Sequence, residues 1–350
     1  MSVKAKKLYC TCYLTLTPEM KKYVRQKLRG QKVQIIDDVV CLDNLDPKTE
    51  VLGVFVDSYV TKKVIESLPK LKQIVTFSTG YSHIDLKTAK KRKIPVCNVP
   101  SYGEHTVAEF AMGLILSLTR QIFPSVKRIK EGSYDYHGLR GNDIMGSDLH
   151  QKTVGIIGTG NIGKHIIRML KGFDIEIIAH DLFPKKTLAK ELGFSYVTLP
   201  QLLKKSDVIS LHVPLFDSTY HMINKTAIKK MKKGVYIINT ARGGLIDSEA
   251  LLWGLEEGIV AGAGLDVLEG EDLLEDPLKL LCEDCTIKDT RISLINNVLI
   301  DHPKTIITPH IAFNTTEAVQ RIIDTSTAQI KAFSRGEQTL YDVTLPKRKK

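Results

Sequence analysis

Short apolar runs of strand character alternate along this chain with segments whose apolar residues recur every three or four positions. That alternation predicts α/β layers built on parallel sheets. A first series runs "KLYCTCYL" (7–14), a helix from Pro18 to Arg29, "VQIIDD" (33–38), "VLGVFVD" (51–57), a helix near 61–69, "QIVTFSTG" (73–80) and "IPVCNVP" (94–100). A long apolar helix is expected over roughly 105–130. A second series then starts at "TVGIIGTGNIG" (153–163) and continues through "IEIIAHD", "DVISLHVP", "GVYIINTA" and "GIVAGAGLDV", with "KTIITPH" (304–310) closing it. The last helix, about 315–335, is long enough to run back onto the first series. Residues 1–102 and 311–350 are therefore expected to form one discontinuous domain around an inserted domain of 103–310.

Composition narrows the picture without changing it. The chain has 350 residues, 43% of them hydrophobic and 25% charged, which suits two globular cores. Lys4, Lys6 and Lys7 lead into only a short apolar strand, so no secretory leader is read there. The most apolar helical stretch, "VAEFAMGLILSL" (107–118), carries Glu109 and is too short to span a bilayer. A soluble, cytoplasmic protein without a membrane partner is the expectation.

Six cysteines in a chain this long do not read as a secreted disulfide framework. "CEDC" (282–285) has half of a zinc-ribbon spacing, but no second pair or neighbouring His completes it, so no metal is expected. The net charge of +11 invites a nucleic-acid reading. Against it, Lys and Arg are interleaved with Asp and Glu over helix faces, and only the tail "PKRKK" (346–350) is a compact basic run. No nucleic-acid partner is expected.

Chemistry enters with "GTGNIG", which places Gly158, Gly160 and Gly163 in a G-x-G-x-x-G pattern. It follows the strand "TVGII" and opens the helix "NIGKHIIRML", as a dinucleotide site requires. Gly158 permits the tight turn, Gly160 lets backbone approach a pyrophosphate, and Gly163 lets the helix lie close to the sheet. The helix N-terminus, at Asn161 and Ile162, then faces the phosphates. The next strand ends at Asp181, 18 residues beyond Gly163. A carboxylate there can accept the ribose hydroxyls and repels a 2′-phosphate, which favours NAD over NADP, although Lys185 and Lys186 follow closely.

Three further strand ends carry polar residues that a packed sheet does not need. "NTARGGLID" (239–247) supplies Arg242, "GLDVLEGE" (264–271) supplies Asp266 and Glu271, and "TPH" (308–310) supplies His310. Ligands of open α/β sheets bind at the carboxyl ends of strands. A guanidinium holds a carboxylate bidentately, a His exchanges a proton near neutral pH, and a carboxylate beside it favours the imidazolium. Taken one at a time, Arg242 could be a surface ion-pair partner, Glu271 a solvated loop acid and His310 a capped strand end. Together, behind a dinucleotide motif, they describe interconversion of a 2-hydroxy acid and its 2-oxo acid.

With these motifs in order, the chain resembles the D-2-hydroxyacid dehydrogenase family over nearly its full length. The likeness is carried by "FSTGYSHIDL" (77–86), "NVPSYGEHTVAE" (98–109), "VGIIGTGNIG" (154–163), "HVPL" (212–215), "NTARGGLID", "GLDV" with Glu271, and "TPHIAFNT" (308–315). The resemblance implies a Rossmann NAD-binding domain inserted into a flavodoxin-like substrate domain. It implies that Arg242 grips the substrate carboxylate, that His310 is the acid/base and that Glu271 is its partner. Val213, Pro214, Thr219, Thr240, Ala241 and Asp266 match cofactor-lining positions. Thr79, Gly80, Tyr102 and Phe313 match positions on the substrate side. A cleft that closes between the domains and a homodimer formed through the nucleotide domain are implied as well.

Phe313 after the His, "NVPSYG" and the long stretch between Glu271 and His310 are similar to the D-lactate dehydrogenase branch, so pyruvate and D-lactate are the expected pair. Glyoxylate or hydroxypyruvate reduction is the alternative within the family. NAD-sensing transcriptional corepressors resemble the same fold and keep the same three residues. They usually carry an extension that is not evident in this sequence.

Overall fold

The computed structural model describes residues 5–134, 144–275, 285–339 and 341–345. The chain divides into two compact units, one of residues 1–103 with 314–350 and one of residues 104–313.

The first unit runs β1 (Tyr9–Tyr13), α1 (Pro18–Lys27), β2 (Lys32–Ile36), β3 (Val51–Val54), α2 (Lys62–Glu66), β4 (Gln73–Thr76), α3 (Leu86–Lys91) and β5 (Val96–Cys97). Its five strands lie in the order β2-β1-β3-β4-β5, all parallel. That is the flavodoxin-type order. β3 and β4 are buried along their whole length, as strands covered on both faces must be. Leu52, Val54, Ile65, Leu68, Ile74 and Val96 form the core between sheet and helices.

In the second unit, α4 (Glu104–Thr119) and α5 (Ile122–Lys130) precede β6 (Thr153–Ile157), α6 (Asn161–Leu170), β7 (Glu176–His180), α7 (Lys186–Leu192) and β8 (Ser195–Tyr196). Then come α8 (Leu199–Lys205), β9 (Val208–Leu211), α9 (Lys225–Ile228), β10 (Val235–Asn239), α10 (Ser248–Glu256), β11 (Val260–Leu265), α11 (Glu271–Glu275), α12 (Ile287–Asp301) and β12 (Thr305–Ile307). The sheet order is β12-β11-β10-β9-β6-β7-β8, again all parallel. This is the doubly wound Rossmann order with one strand added at the β11 edge. Its switch point falls between β6 and β9, beside the glycine turn.

The final helix, α13 (Thr316–Ser334), belongs to the first unit. Asp324 joins it to α1 through Tyr23 (2.8 Å) and Lys27 (2.7 Å), and Gln329 donates to the Asn98 carbonyl at 2.9 Å. Both ends of the chain therefore build one body.

The long helix expected over 105–130 is two helices, bent by 67°. α4 buries Ala108, Ala111, Leu114, Ile115 and Leu118 against the second sheet, where Gly264 leaves room for Leu114 and Leu118 to approach. At its end the Thr119 carbonyl accepts from Ser147 N–H at 2.7 Å instead of from the next helical turn, and Gln121 turns left-handed (φ 51°). The helical ladder is thus interrupted at Thr119. Among the described residues no single helix is long and apolar enough to cross a membrane. The described residues contain no cluster of three or more metal-binding side chains; Cys282 and the tail 346–350 lie outside them.

Candidate active site

The glycine turn is built as the sequence requires. Gly158 has φ 95°, and a Cβ on it would press on the His212 carbonyl and Val213. A Cβ on Gly163 would run into the Gly158 carbonyl, so α6 lies on the turn as closely as glycine permits. Gly160 is exposed with nothing within 4 Å of its missing side chain. It is also the N-cap of α6 and offers no side chain to the first N–H groups, at Asn161, Ile162 and Gly163. An open glycine before an uncapped helix N-terminus is a cradle for an anion. Thr240, at the carboxyl end of β10, keeps a buried hydroxyl that has no partner among the described residues. These residues fit a dinucleotide.

Asp181 ends β7 with its carboxylate already oriented. Thr159 donates to it through both N–H (2.7 Å) and hydroxyl (2.8 Å), and Phe183 N–H donates at 2.9 Å. Burial acts to raise its pKa, but the bonds from Thr159 and Phe183 outweigh that and hold it below the usual carboxylate value. Val213, Pro214 and Thr219 form one turn after β9, where the Thr219 hydroxyl accepts from Phe216 N–H and faces the Pro214 carbonyl at 2.9 Å. His212, between Ser210 and that turn, is pushed down to about 4 by burial and is therefore neutral.

The three strand ends of the second sheet that carry Arg242, Glu271 and His310 belong to the adjacent strands β10, β11 and β12. Asn239, whose role no motif signals, clamps the first: its side chain accepts from Ala241 N–H (3.0 Å) and donates to the Arg242 carbonyl (2.8 Å). Arg242 is exposed and forms no ion pair with a described residue, so its guanidinium is available to an outside anion.

His310 adopts a left-handed backbone, φ 52°. Such a conformation is uncommon for a side chain larger than Gly and needs support from its surroundings. Asp266 provides that support. It is 1% exposed, and its carboxylate accepts from Thr308 hydroxyl (2.6 Å), Ile311 N–H (2.9 Å) and Ala312 N–H (2.8 Å), while its carbonyl accepts from His310 N–H (2.9 Å). Burial raises the Asp266 pKa and these donors offset part of the rise. Its carboxylate thus serves the 308–312 turn.

The turn aims His310 at Glu271, Nδ1 to Oε1 at 2.8 Å, and the other Glu271 oxygen accepts from Leu268 N–H at 3.2 Å. That bond is the main reason the His310 pKa is raised; burial and the Arg242 charge pull the other way. With Nδ1–H committed to Glu271, Nε2 is left to give or take a proton. Two further features support this loop. Gly243 lies so close to Leu268 and Glu269 that a Cβ would strike their peptide unit. Glu269 in turn accepts from Tyr220 (2.7 Å) and pairs with His221 (2.9 Å), and Lys288 of α12 donates to the Tyr220 hydroxyl (2.9 Å).

The remaining positions fall as follows. In the first unit, Thr79 donates to the Val99 carbonyl (2.7 Å) and Asn98 to the Thr79 carbonyl (2.8 Å), which shapes the 78–80 turn after β4 and leaves Gly80 unencumbered. The Tyr102 carbonyl accepts from Arg321 at 2.6 Å. Phe313 is half-buried at the end of the second unit, just past the Asp266-bound turn.

Residues 112–312 match the NAD-binding domain of D-isomer-specific 2-hydroxyacid dehydrogenases. The chain is 38% identical over 292 residues to a D-lactate dehydrogenase of Escherichia coli K12, covering 82% of this chain and 84% of that one. It is 36% identical over 280 residues to a glyoxylate reductase of Korarchaeum cryptofilum, covering 79% and 77%. Its fold is similar to the D-lactate dehydrogenase of Aquifex aeolicus solved with NAD and lactic acid, with a TM-score of 0.79 and 33% identity over 96% of this chain and 99% of that one. With the Rossmann order, the glycine cradle and Asp181 in place, the chain belongs to the D-isomer-specific 2-hydroxyacid dehydrogenase family and is an NAD-dependent oxidoreductase.

Proposed function

We propose that the protein reversibly reduces pyruvate to D-lactate. The observation that carries this is the His310–Glu271 pair, with Nε2 left over for a substrate and Arg242 on the neighbouring strand end. Arg242 would hold the carboxylate and orient the carbonyl; His310 Nε2–H would protonate the carbonyl oxygen in reduction and accept the hydroxyl proton in oxidation. Glu271 stabilises the imidazolium and fixes the tautomer. NAD would be held by Gly158–Gly163, Asp181, Val213, Pro214, Thr219, Thr240, Ala241 and Asp266 and would supply the hydride acceptor, and NADH the donor. Asp266 acts by holding the turn that presents His310. Thr79, Gly80, Tyr102 and Phe313 are assigned to substrate on the family resemblance.

Pyruvate is favoured by the similarity to D-lactate dehydrogenases and by Phe313 after the histidine. The glyoxylate reductase relative supports glyoxylate as the second reading. A cytoplasmic setting agrees with the free thiols of Cys10, Cys12, Cys41, Cys97 and Cys285. The homodimer is proposed through α5, whose Ile122, Phe123, Val126 and Ile129 are all exposed.

The test is NADH consumption with pyruvate, glyoxylate, hydroxypyruvate and phenylpyruvate, with His310→Gln beside the parent chain. Fast turnover of pyruvate that falls by a factor of about 10² to 10⁴ in the variant supports the reading. Preference for glyoxylate would replace the substrate and keep the chemistry. NADH binding without turnover of any oxo acid would leave the fold serving as an NAD sensor.

A further inference from the structure

The second position of the glycine motif accepts many side chains, yet here it carries a residue that the structure uses fully. Thr159 is 3% exposed and lies inside the turn between Gly158 and Gly160. Its N–H and its hydroxyl both donate to one oxygen of Asp181, Oδ2, at 2.7 and 2.8 Å. Since the Thr159 hydroxyl proton is spent on Asp181, the Tyr196 hydroxyl, 2.8 Å from Thr159 Oγ1, is the donor of the next bond. Tyr196 is itself held, its ring edge-on to buried Phe194 at 5.0 Å. The result is a one-way chain, Tyr196 to Thr159 to Asp181, from the edge strand β8 to the cofactor turn.

The chain decides what Asp181 has left to offer. An ionised carboxylate has about four acceptor sites. Thr159 takes two on Oδ2, and Phe183 N–H takes one on Oδ1 at 2.9 Å. One site on Oδ1 remains. The anchoring also keeps Asp181 from the lysines that follow it: neither Lys185 nor Lys186 forms an ion pair with it, although only three residues separate Asp181 from Lys185. A carboxylate free to swing onto either lysine would be neutralised, and one of the two cations would then stand beside the ribose site. That arrangement would tolerate a 2′-phosphate. A pinned, acceptor-only carboxylate rejects it and rewards a 2′-hydroxyl.

We propose that Thr159, braced by Tyr196, is the positioning residue that sets the preference for NAD over NADP, by fixing Asp181 with a single open acceptor site. The inference rests on the NAD-dependent reading of the glycine cradle, and it needs no turnover to be tested.

The experiment is calorimetric titration of the full chain with NADH and with NADPH, for the parent, Thr159→Val, Thr159→Ser and Tyr196→Phe. Valine keeps the shape and the N–H and removes only the hydroxyl. It should weaken NADH about tenfold and leave NADPH unchanged or tighter, so the ratio of the two affinities falls about tenfold, the scale of one hydrogen bond to a charged group. Serine should restore the ratio to within about twofold, and Tyr196→Phe should lower it in the same direction by a smaller factor of about two to three. Equal loss of both cofactors in Thr159→Val would mean a purely structural role in the turn and would overturn the proposal, as would an unchanged ratio. Should Thr159→Val fail to fold, an unchanged ratio in Tyr196→Phe would be enough to reject it. A parent chain that binds neither nucleotide would instead remove the cofactor reading itself.

Discussion

His310 and Glu271 are 39 residues apart in the chain, and their side chains meet at 2.8 Å, Nδ1 to Oε1, because β11 and β12 end side by side. The carboxylate raises the imidazole's pKa, which sets a pH dependence for each direction. Reduction needs imidazolium, so kcat/KM for the oxo acid should be high below the raised pKa and fall as pH climbs through it. Oxidation needs the neutral ring and should rise over the same window. Glu271→Gln removes the main cause of the shift and should move both limbs to lower pH. The same sign governs stability: the pair's contribution is fully present below the free imidazole pKa of about 6.5 and is lost as pH rises through the folded value. A pH–rate profile of Glu271→Gln with unmoved limbs would remove Glu271 from the role given to it.

Arg242 gives the second test. Among the described residues its guanidinium bonds only the Ala241 carbonyl, which leaves it open to an anion. A lysine keeps the charge and loses the planar fork. Arg242→Lys should lower kcat/KM about a hundredfold, roughly 3 kcal/mol, with most of the loss in KM if the fork acts by holding the carboxylate. Folding should be little affected, since the side chain is exposed. A variant with near-parental KM would show that another group binds the carboxylate.

The residues that these tests use are legible in the sequence because the chemistry restricts their type and because strand ends are where open sheets place ligands. Gly158, Gly160, Arg242 and His310 stand just past such ends, Gly163 in the first turn of the helix that follows β6, and Glu271 at the start of the helix that follows β11. Hidden from the sequence is whatever depends on tertiary neighbours. Thr159 reads as a variable motif position until Tyr196, 37 residues later, is seen to donate to it. Asp266 matches a cofactor-lining position, and no motif signals that its carboxylate is also bound by three donors of the 308–312 turn. The helix over 105–130 reads as continuous because apolar periodicity persists past Thr119; only the Ser147 bond to the Thr119 carbonyl and the left-handed Gln121 show where it breaks.

Gly243 carries the third prediction. Its backbone presses on the Leu268–Glu269 peptide, so the loop of Arg242 and the loop of Glu271 hold one another by direct backbone contact. A methyl there has to part them. Gly243→Ala should cost about 1–3 kcal/mol and lower Tm accordingly, with activity falling further if Arg242 and Glu271 act as proposed, because both side chains move. Gly113, in α4 with nothing within 4 Å of its missing Cβ, is the contrast. Gly113→Ala should stabilise by about 0.5–1 kcal/mol, as expected for relieving a helix interior of glycine. Thermal unfolding of the two variants in parallel separates close packing from backbone entropy.

The last prediction concerns α5. None of its residues is buried, yet Ile122, Val126 and Ile129 recur at helical spacing and stand 48%, 44% and 54% exposed, with Phe123 beside them at 55%. Four large apolar side chains on one helix are an unfavourable surface for water and a suitable one for a second copy of the chain. Its last turn also carries Lys127, Arg128 and Lys130, so charge flanks the apolar stripe as it does at the rim of an interface. A glutamate at the centre of the stripe would have to be desolvated on association, at a cost of several kcal/mol unless paired. Val126→Glu and Ile129→Glu should therefore convert a dimer to a monomer in light scattering after size exclusion, while the thermal unfolding of each protomer changes little. A parent chain that runs as a monomer at micromolar concentration, or variants that remain dimeric, would place the contact elsewhere or remove it.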